Sequence, residues 1–258
     1  MPWPELVALI AGGLAIGSFA NVVIYRLPRG ESVVAPGSRC PACEVPIKPW
    51  DNLPVVSWLI LRGRCRACHA AISARYPLVE ALCGGLFVVA GERFGTSYLS
   101  VAAACVLAAA LVTVSAVDLT RMIIPDRVVF PALGAVAALL VAAAIHGHQW
   151  HRLEEAAIGA AASFAGFAAI HLAYPAGMGF GDVKLSLLIG LFLGWIRLAV
   201  VPIGFFIAFA VATVVSVVLI ILGKGGRKTK IPFGPFMAVG AMGAVQWGVP
   251  IARAWLGH

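Results

Sequence analysis

Long apolar runs alternate with short polar segments along most of the chain. A transmembrane helix needs about 20 consecutive apolar residues to cross the hydrocarbon core of a bilayer, and most of the runs approach that length. The runs cover residues 5–25, 78–91, 98–117, 128–145, 155–173, 183–196, 198–222 and 231–253. The second and sixth runs are shorter, so we expect their helices to tilt, to thin the bilayer locally or to be partly buried in protein. The pattern predicts an all-α polytopic membrane protein with about eight transmembrane helices.

The composition agrees with a membrane protein. Of the 258 residues, 61% are hydrophobic and only 12% are charged, which is far from the balance found in soluble domains. No basic segment precedes the first run, so we expect a retained helix rather than a cleaved signal. The net charge of +8 does not indicate nucleic-acid binding, because the basic residues gather in loops rather than along one face of a helix.

The basic residues also predict the orientation in the membrane. With eight spans, fifteen of the 19 Lys and Arg residues fall on one side and four on the other. Because basic residues near span ends mark the cytoplasmic side, we expect the fifteen to be cytoplasmic and both termini to be outside. We divide the chain into a first transmembrane helix (1–25), a cytoplasmic loop domain (26–76) and a membrane-embedded domain (77–258).

The loop domain contains two CxxC pairs. Cys40 and Cys43 form the first pair, Cys65 and Cys68 form the second, and residues 44–64 separate them. Four thiolates in two such pairs are the ligands of a closed tetrahedral zinc site. A domain this small needs a metal or another cross-link for stability, and a reducing cytoplasm disfavours disulfides. The spacing predicts a zinc-ribbon-like loop with structural zinc. The alternative, two disulfides on the outer face, requires the opposite topology.

Two aspartates lie where apolar runs meet polar segments. Asp118 follows the third run, and Asp182 ends the stretch Gly179-Phe180-Gly181-Asp182 that precedes the sixth. On the predicted topology both aspartates lie at cytoplasmic ends of spans, where they can meet. Ionisable groups at such positions are costly, and they usually mark function. Gly179 and Gly181 carry no side chain, so backbone or a bound peptide can approach closely there.

Paired carboxylates that share one proton can cleave a peptide bond. The ionised acid takes a proton from water while the protonated acid polarises the peptide carbonyl. The sequence contains no Ser/His/Asp grouping or HExxH motif that would indicate a different protease chemistry. A transporter whose paired membrane acids couple proton movement to transport is the alternative. From these residues alone, proteolysis and transport both stay open.

Four further polar residues each have a structural and a functional interpretation. Asp126 is expected to cap the fourth predicted helix, and it is the next candidate for a catalytic acid. Lys184 can hold Asp182 ionised, contact lipid phosphate or extend to the interface, and we favour the interfacial role. Glu80 is expected to cap the start of the second predicted helix. His69 can replace a metal ligand, but a surface position is the simpler expectation.

Several motifs occur together and in a fixed order. They are GSFANVVIYRLP at residues 17–28, the two CxxC pairs, NLPVVSW at 52–58, ISARYPLVE at 72–80, the acidic stretch 118–126, GFGDVK at 179–184 and IPFGPF at 231–236. In this order they resemble the type IV prepilin peptidases, also called leader peptidase/N-methyltransferases, over nearly the whole chain. The family's catalytic pair is the aspartate that opens the first acidic motif and the aspartate of the GxGD motif. These positions match Asp118 and Asp182 here.

The resemblance implies a bacterial inner-membrane aspartic peptidase that removes short basic leaders from prepilins of type IV pili or pseudopilins of type II secretion. The resemblance also implies cleavage at the cytoplasmic face, with the substrate's apolar helix in the membrane lipid. Gly179, Gly181, Lys184 and Asp126 are then residues that support the site. Many members also methylate the new N-terminal amine with S-adenosylmethionine, and the cysteine loop is linked to that activity, in which Glu80 can assist.

The sequence departs from the family pattern in one place. Residues 35–39 lack the histidines that many members carry before the first cysteine, and no glycine-rich nucleotide fold indicates which residues bind S-adenosylmethionine. A presenilin-like GxGD protease is the alternative within enzymes, and it would not need the cysteine loop.

Overall fold

The structure is a computed structural model that describes residues 1–175, 177–224, 226 and 231–256. In these residues it is almost entirely α-helical and has no β-strand beyond two isolated bridges. The helices are α1 (Trp3–Arg26), α2 (Val56–Ile60), α3 (Arg75–Phe94), α4 (Tyr98–Arg121), α5 (Asp126–Gly147), α6 (Trp150–Ala173), α7 (Phe180–Ile196), α8 (Val200–Ile221) and α9 (Gly234–Leu256). The predicted all-α class is confirmed, and each of the eight apolar runs coincides with one long helix.

Six of the long helices in the described part of the chain are long and apolar enough to cross a membrane. The two others are α3 and α7, which correspond to the short second and sixth runs. Helix α3 carries charged residues at both ends and Glu80 between them. Helix α7 has only 17 residues, and most of them are buried against α4, α5, α6, α8 and α9. Protein therefore surrounds α7, which explains how so short a helix can lie at membrane depth.

The chain forms two compact units, Met1–Glu92 and Arg93–His258. In the first unit α1 packs closely on α3. A Cβ atom on Gly13 would lie only 2.7 Å from the Cys83 carbonyl oxygen and from the Gly84 Cα. Small residues at such a crossing let two membrane helices pack backbone to backbone.

In the second unit the core is built around α7. Phe192 and Trp195 of α7 are almost completely buried, as are Leu107 and Leu111 of α4. The Trp195 indole N–H donates to the Ser100 hydroxyl over 3.2 Å, so this buried polar group has a partner. Packing of α7 against α4 and α9 brings the last turn of α4 and the first turns of α7 and α9 to one place, where the two aspartates lie.

Candidate active site and metal centre

Asp118 lies in the last turn of α4 and is 5% exposed. Its Oδ2 accepts the backbone N–H of Gly234, the first residue of α9, over 2.9 Å. The N–H groups of a helix's first turn have no partner within the helix, and the helix dipole makes this end electropositive. Helix α9 thus directs its N-terminal end at the carboxylate of Asp118.

Asp182 lies in the first turn of α7 and is 8% exposed. Its Oδ2 accepts the N–H of Gly179 over 3.2 Å, and its own N–H donates to the Gly179 carbonyl over 3.1 Å. Asp182 therefore closes the start of its own helix. Because the end of α4 lies close to the start of α7, Asp118 and Asp182 are near enough to interact electrostatically.

The two predicted glycines serve different roles. Gly179 orients Asp182 through its backbone N–H, and a Cβ atom there would be in ordinary contact with the carboxylate at 3.5 Å. At Gly181 a Cβ atom would lie 2.8 Å from the Cβ of Ile124. Gly181 thus lets the start of α7 approach the segment that follows α4, so the close approach expected from the sequence is made there by this chain itself.

Lys184 and Asp126 form an ion pair that joins α7 to the start of α5. The Lys184 ammonium also lies 5.3 Å from the ring centre of Phe180 and 5.8 Å from that of Phe130, within the range of cation–π attraction. The cap expected of Asp126 is not formed, because the N-cap of α5 is Pro125 and Asp126 is the first helical residue. Lys184 meets a carboxylate on a neighbouring helix, so its head group is paired.

Glu80 does not cap a helix, because α3 begins five residues earlier, at Arg75. Its side chain is buried, and its Oε2 accepts the backbone N–H of Val55 over 2.7 Å. The sequence prediction was wrong because the apolar run starts later than the helix does. Glu80 instead fastens the segment before α2 to the side of α3 within the first unit.

A cavity of about 230 Å³ opens beside Asp182. Its lining residues are Gly177, Met178, Asp182, Phe209, Ala212, Ser216, Ile231, Phe233 and Phe236. Sequence reasoning did not assign these aromatic residues to the site, because α8 and the segment before α9 are remote from Asp182 in the chain. The IPFGPF motif was the one signal that marked Phe233 and Phe236.

His171 is another residue near Asp182 that the sequence did not single out. Its ring Nδ1 lies 2.8 Å from the Met178 carbonyl oxygen, and its ring centre lies 5.6 Å from that of Phe180. From the last turn of α6, His171 thus holds the segment that leads to Asp182.

The four predicted cysteines lie together in the first unit, with their sulfur atoms all within 4.8 Å of one another. The Sγ atoms of Cys40 and Cys68 are 3.8 Å apart, which matches the edge of about 3.8 Å expected for a tetrahedron of Zn–S bonds near 2.3 Å. No disulfide joins these four cysteines. This set of donors fits a metal ion that prefers four sulfur ligands.

Both CxxC pairs adopt the same backbone turn. In the first, the Cys40 N–H donates to the Val45 carbonyl and Glu44 has a φ of 57°; in the second, the Cys65 N–H donates to the Ala70 carbonyl and His69 also has a φ of 57°. His69 thus occupies the left-handed position of the second turn and is not part of the sulfur cluster. Backbone N–H groups of Cys68 and Ala67 lower the pKa of the Cys65 thiol to about 7, and a thiolate is the form that binds metal.

Comparison with known proteins identifies the family. The model described as "Bacterial Peptidase A24 N-terminal domain" matches residues 11–94, and the model described as "Type IV leader peptidase family" matches residues 105–221. The first of these ranges contains the cysteine cluster, and the second contains both aspartates.

Curated relatives from several bacteria carry the name prepilin leader peptidase/N-methyltransferase. The protein from Stutzerimonas stutzeri is 33% identical over 97% of this chain and 93% of its own length. The protein from Aeromonas hydrophila is 34% identical over 99% of this chain and 95% of its own. The protein from Pseudomonas aeruginosa is 31% identical, with 99% and 94% covered. No solved structure matches this chain at a significant level. Since relatives that are 31–34% identical match it almost from end to end, the chain belongs to the Type IV leader peptidase family, as its motifs predict.

Proposed function

We propose that this protein is a prepilin peptidase of the bacterial inner membrane, and that Asp118 and Asp182 cleave the leader peptide of type IV prepilins or type II secretion pseudopilins. The geometric observation that supports the proposal best is the meeting of two buried carboxylates at the ends of α4 and α7, each held by a backbone N–H. The family and the names of its relatives supply the substrate class.

In this mechanism the two carboxylates share one proton. The ionised acid takes a proton from a water molecule, whose oxygen attacks the peptide carbonyl, and the protonated acid hydrogen-bonds to the carbonyl oxygen. When the tetrahedral intermediate collapses, the C–N bond breaks and the leaving amine takes up a proton from the acid that had received it. The backbone donors at Gly234 and Gly179 keep each carboxylate oriented, so less reorganisation is needed during the reaction.

We assign a supporting role to Lys184, Asp126, Gly179 and Gly181. The ion pair of Lys184 and Asp126 links α7 to the start of α5 near Asp182, and Asp126 is more exposed than either proposed catalytic acid. An exposed acid that is paired with lysine is a poor general acid or base in an apolar site, which is why Asp126 is not our first choice for catalysis. The same pair leaves Lys184 engaged away from Asp182.

N-methylation of the new N-terminal amine is the proposed second activity, with S-adenosylmethionine as methyl donor. It is supported by the names of the relatives and by the cysteine cluster. In this cluster Cys40, Cys43, Cys65 and Cys68 would bind a zinc ion. Zinc would act by stabilising the loop, since four thiolates leave no open coordination position. We assign this activity to the loop domain (26–76), and the peptidase activity to the membrane domain (77–258) that follows the first span (1–25).

The proposed orientation places the cysteine loop and both aspartates at the cytoplasmic face and the termini outside. It rests on the distribution of basic residues and on the meeting of Asp118, in the last turn of α4, with Asp182, in the first turn of α7. Prepilin substrates would then lie in the lipid with the basic leader in the cytoplasm.

The test is cleavage of a purified type IV prepilin in detergent by the wild type, Asp118→Asn and Asp182→Asn. Loss of a general acid or base costs about 100- to 10,000-fold in rate, so both near-isosteric variants should be inactive while fold and metal content stay normal. If wild type cleaves and either variant retains most of its rate, the assigned pair is wrong. A transporter would show no cleavage by any of the three proteins.

A further inference from the structure

Most side chains that line the cavity beside Asp182 are apolar, and the polar ones are those of Asp182 and Ser216. Three phenylalanine rings form much of its wall. The Ser216 hydroxyl at its edge already donates to the Ala212 carbonyl over 2.6 Å, so it offers no free donor. Such a lining favours an uncharged, apolar occupant, and it places that occupant directly against the carboxylate of Asp182.

The segment 231–236 connects this cavity to the second carboxylate. Ile231, Phe233 and Phe236 line the cavity, and Gly234 between them donates its N–H to Asp118. An occupant that touches the rings of Phe233 and Phe236 therefore lies beside Asp182. It also lies next to Gly234, whose N–H holds the Asp118 carboxylate. A peptide whose side chain fills the cavity would bring its backbone to the place where the two acids meet.

The aromatic wall is preformed. The ring centre of Phe233 lies 5.0 Å from that of Phe209, 6.4 Å from that of Phe236 and 6.5 Å from that of Phe167. These separations are typical of aromatic rings in contact. Rings that support one another in this way keep the shape of a binding site before a ligand arrives, which lowers the entropy cost of binding.

The size of the cavity restricts what it can hold. At about 230 Å³ it is smaller than the range of about 300–1,000 Å³ that is usual for sites of whole small-molecule ligands, and it suits one large side chain. We propose that this cavity binds the apolar side chain of the substrate residue that adjoins the cleaved bond, and that it sets the enzyme's side-chain specificity. This inference rests on the proposed peptidase function and adds a substrate-binding site to it.

A pair of complementary variants tests the proposal. Ala212→Leu would fill part of the cavity, and Phe236→Ala would enlarge it. Ala210→Leu is the matched control, because Ala210 lies on the same helix, is exposed and does not line the cavity. The substrates are forms of one purified prepilin with Ala, Leu, Phe or Trp at each of the two residues that flank the cleaved bond, and kcat/KM is measured for every combination.

One or two methylene groups in an apolar pocket typically change discrimination about tenfold or more. At one of the two flanking positions, Ala212→Leu should therefore shift the Phe-to-Ala ratio of kcat/KM about tenfold toward Ala. Phe236→Ala should shift the Trp-to-Phe ratio toward Trp at the same position, and Ala210→Leu should leave both ratios as in wild type. Two shifts in these opposite directions at one position support the cavity as the site of the substrate side chain. A low yield of one variant does not affect this test, because a ratio of kcat/KM values does not depend on the amount of folded enzyme.

The other outcomes contradict the proposal in distinct ways. If both cavity variants change the rate equally for all substrates, the cavity holds something other than the substrate side chain, such as a lipid acyl chain. If ratios change to the same extent in Ala210→Leu, the effect belongs to the face of α8 and not to the cavity. If wild type cleaves none of the prepilins, the proposed function itself fails, before the cavity variants are compared.

Discussion

The backbone N–H of Gly234 and the Oδ2 atom of Asp118 form a buried hydrogen bond of 2.9 Å between residues 116 positions apart in the chain. The same geometry leaves no room for a side chain. A Cβ atom on residue 234 would lie 2.9 Å from Oδ2 of Asp118, closer than such atoms normally approach, and 3.4 Å from Cγ. Glycine at this position thus lets the start of α9 reach the carboxylate that we propose to be catalytic.

We expect Gly234→Ala to impair catalysis by displacing Asp118. A displacement of about 1 Å in a catalytic group can cost about 100-fold in rate, and we expect a loss of about 10- to 100-fold in kcat for prepilin cleavage. The matched control is Gly243→Ala, also on α9, where an added Cβ atom would make only ordinary contacts at 3.8 Å with Ile207.

A loss of folded enzyme would lower the rate of Gly234→Ala by one factor at all pH values. Displacement of Asp118 from its donor should instead change the shape of the pH dependence of kcat/KM, because the hydrogen bond favours one protonation state of the carboxylate. An unchanged pH profile together with a reduced yield would assign Gly234 a purely structural role.

The ion pair of Lys184 and Asp126 is expected to contribute to stability rather than to chemistry. Asp126 is more than half exposed, and pairs with such exposure are typically worth about 0–1 kcal/mol. Asp126→Asn should therefore lower the melting temperature in detergent by no more than a few degrees and leave cleavage within about threefold of wild type. Loss of cleavage as large as in Asp118→Asn would instead identify Asp126 as a catalytic acid.

Glu80 should be needed for the stability of the first unit. Removal of its carboxylate in Glu80→Ala leaves the part-buried Val55 N–H without this partner, and an unsatisfied donor costs at most about 1–3 kcal/mol when it is fully buried. Glu80→Gln keeps a carbonyl oxygen that can accept the same bond and should lie near wild type. The measurement is thermal unfolding of both variants, monitored by circular dichroism. If Glu80 acts through its negative charge rather than as a hydrogen-bond acceptor, both variants should be destabilised equally.

Metal content provides a fourth prediction. Wild-type protein should bind about one zinc ion per chain, because four clustered thiols complete a closed site, and Cys40→Ser combined with Cys65→Ser should bind almost none. Elemental analysis of purified protein measures this directly, and Asp118→Asn should retain the metal in full. Since the cysteines and the two aspartates belong to different compact units, we expect methylation to fall further than cleavage. An equal loss of methylation and cleavage would contradict the assignment of these activities to separate domains.

The predicted helices agree closely with the structure because membrane insertion is decided locally. The transfer energy of about 20 consecutive residues depends on their own composition, so the eight runs and the two short helices among them could be read from the chain. The grouping of four thiols was also predictable, because each CxxC pair forms its own turn. The roles of Glu80 and Asp126 could not be predicted in this way. At Glu80 the helix begins before the apolar run does, and Asp126 pairs with Lys184, which is distant in the chain.

The sequence by itself determined the membrane class, the helix positions, the cysteine cluster and the acids available for chemistry. Only the tertiary structure decided that Gly234 faces Asp118, that Lys184 pairs with Asp126, and that Phe209 and Phe236 form a cavity beside Asp182. The physical reason is that lipid and neighbouring helices are almost equally apolar, so hydropathy does not specify which helices meet. Those contacts depend on close packing at small residues and on the need of each buried polar group for a partner.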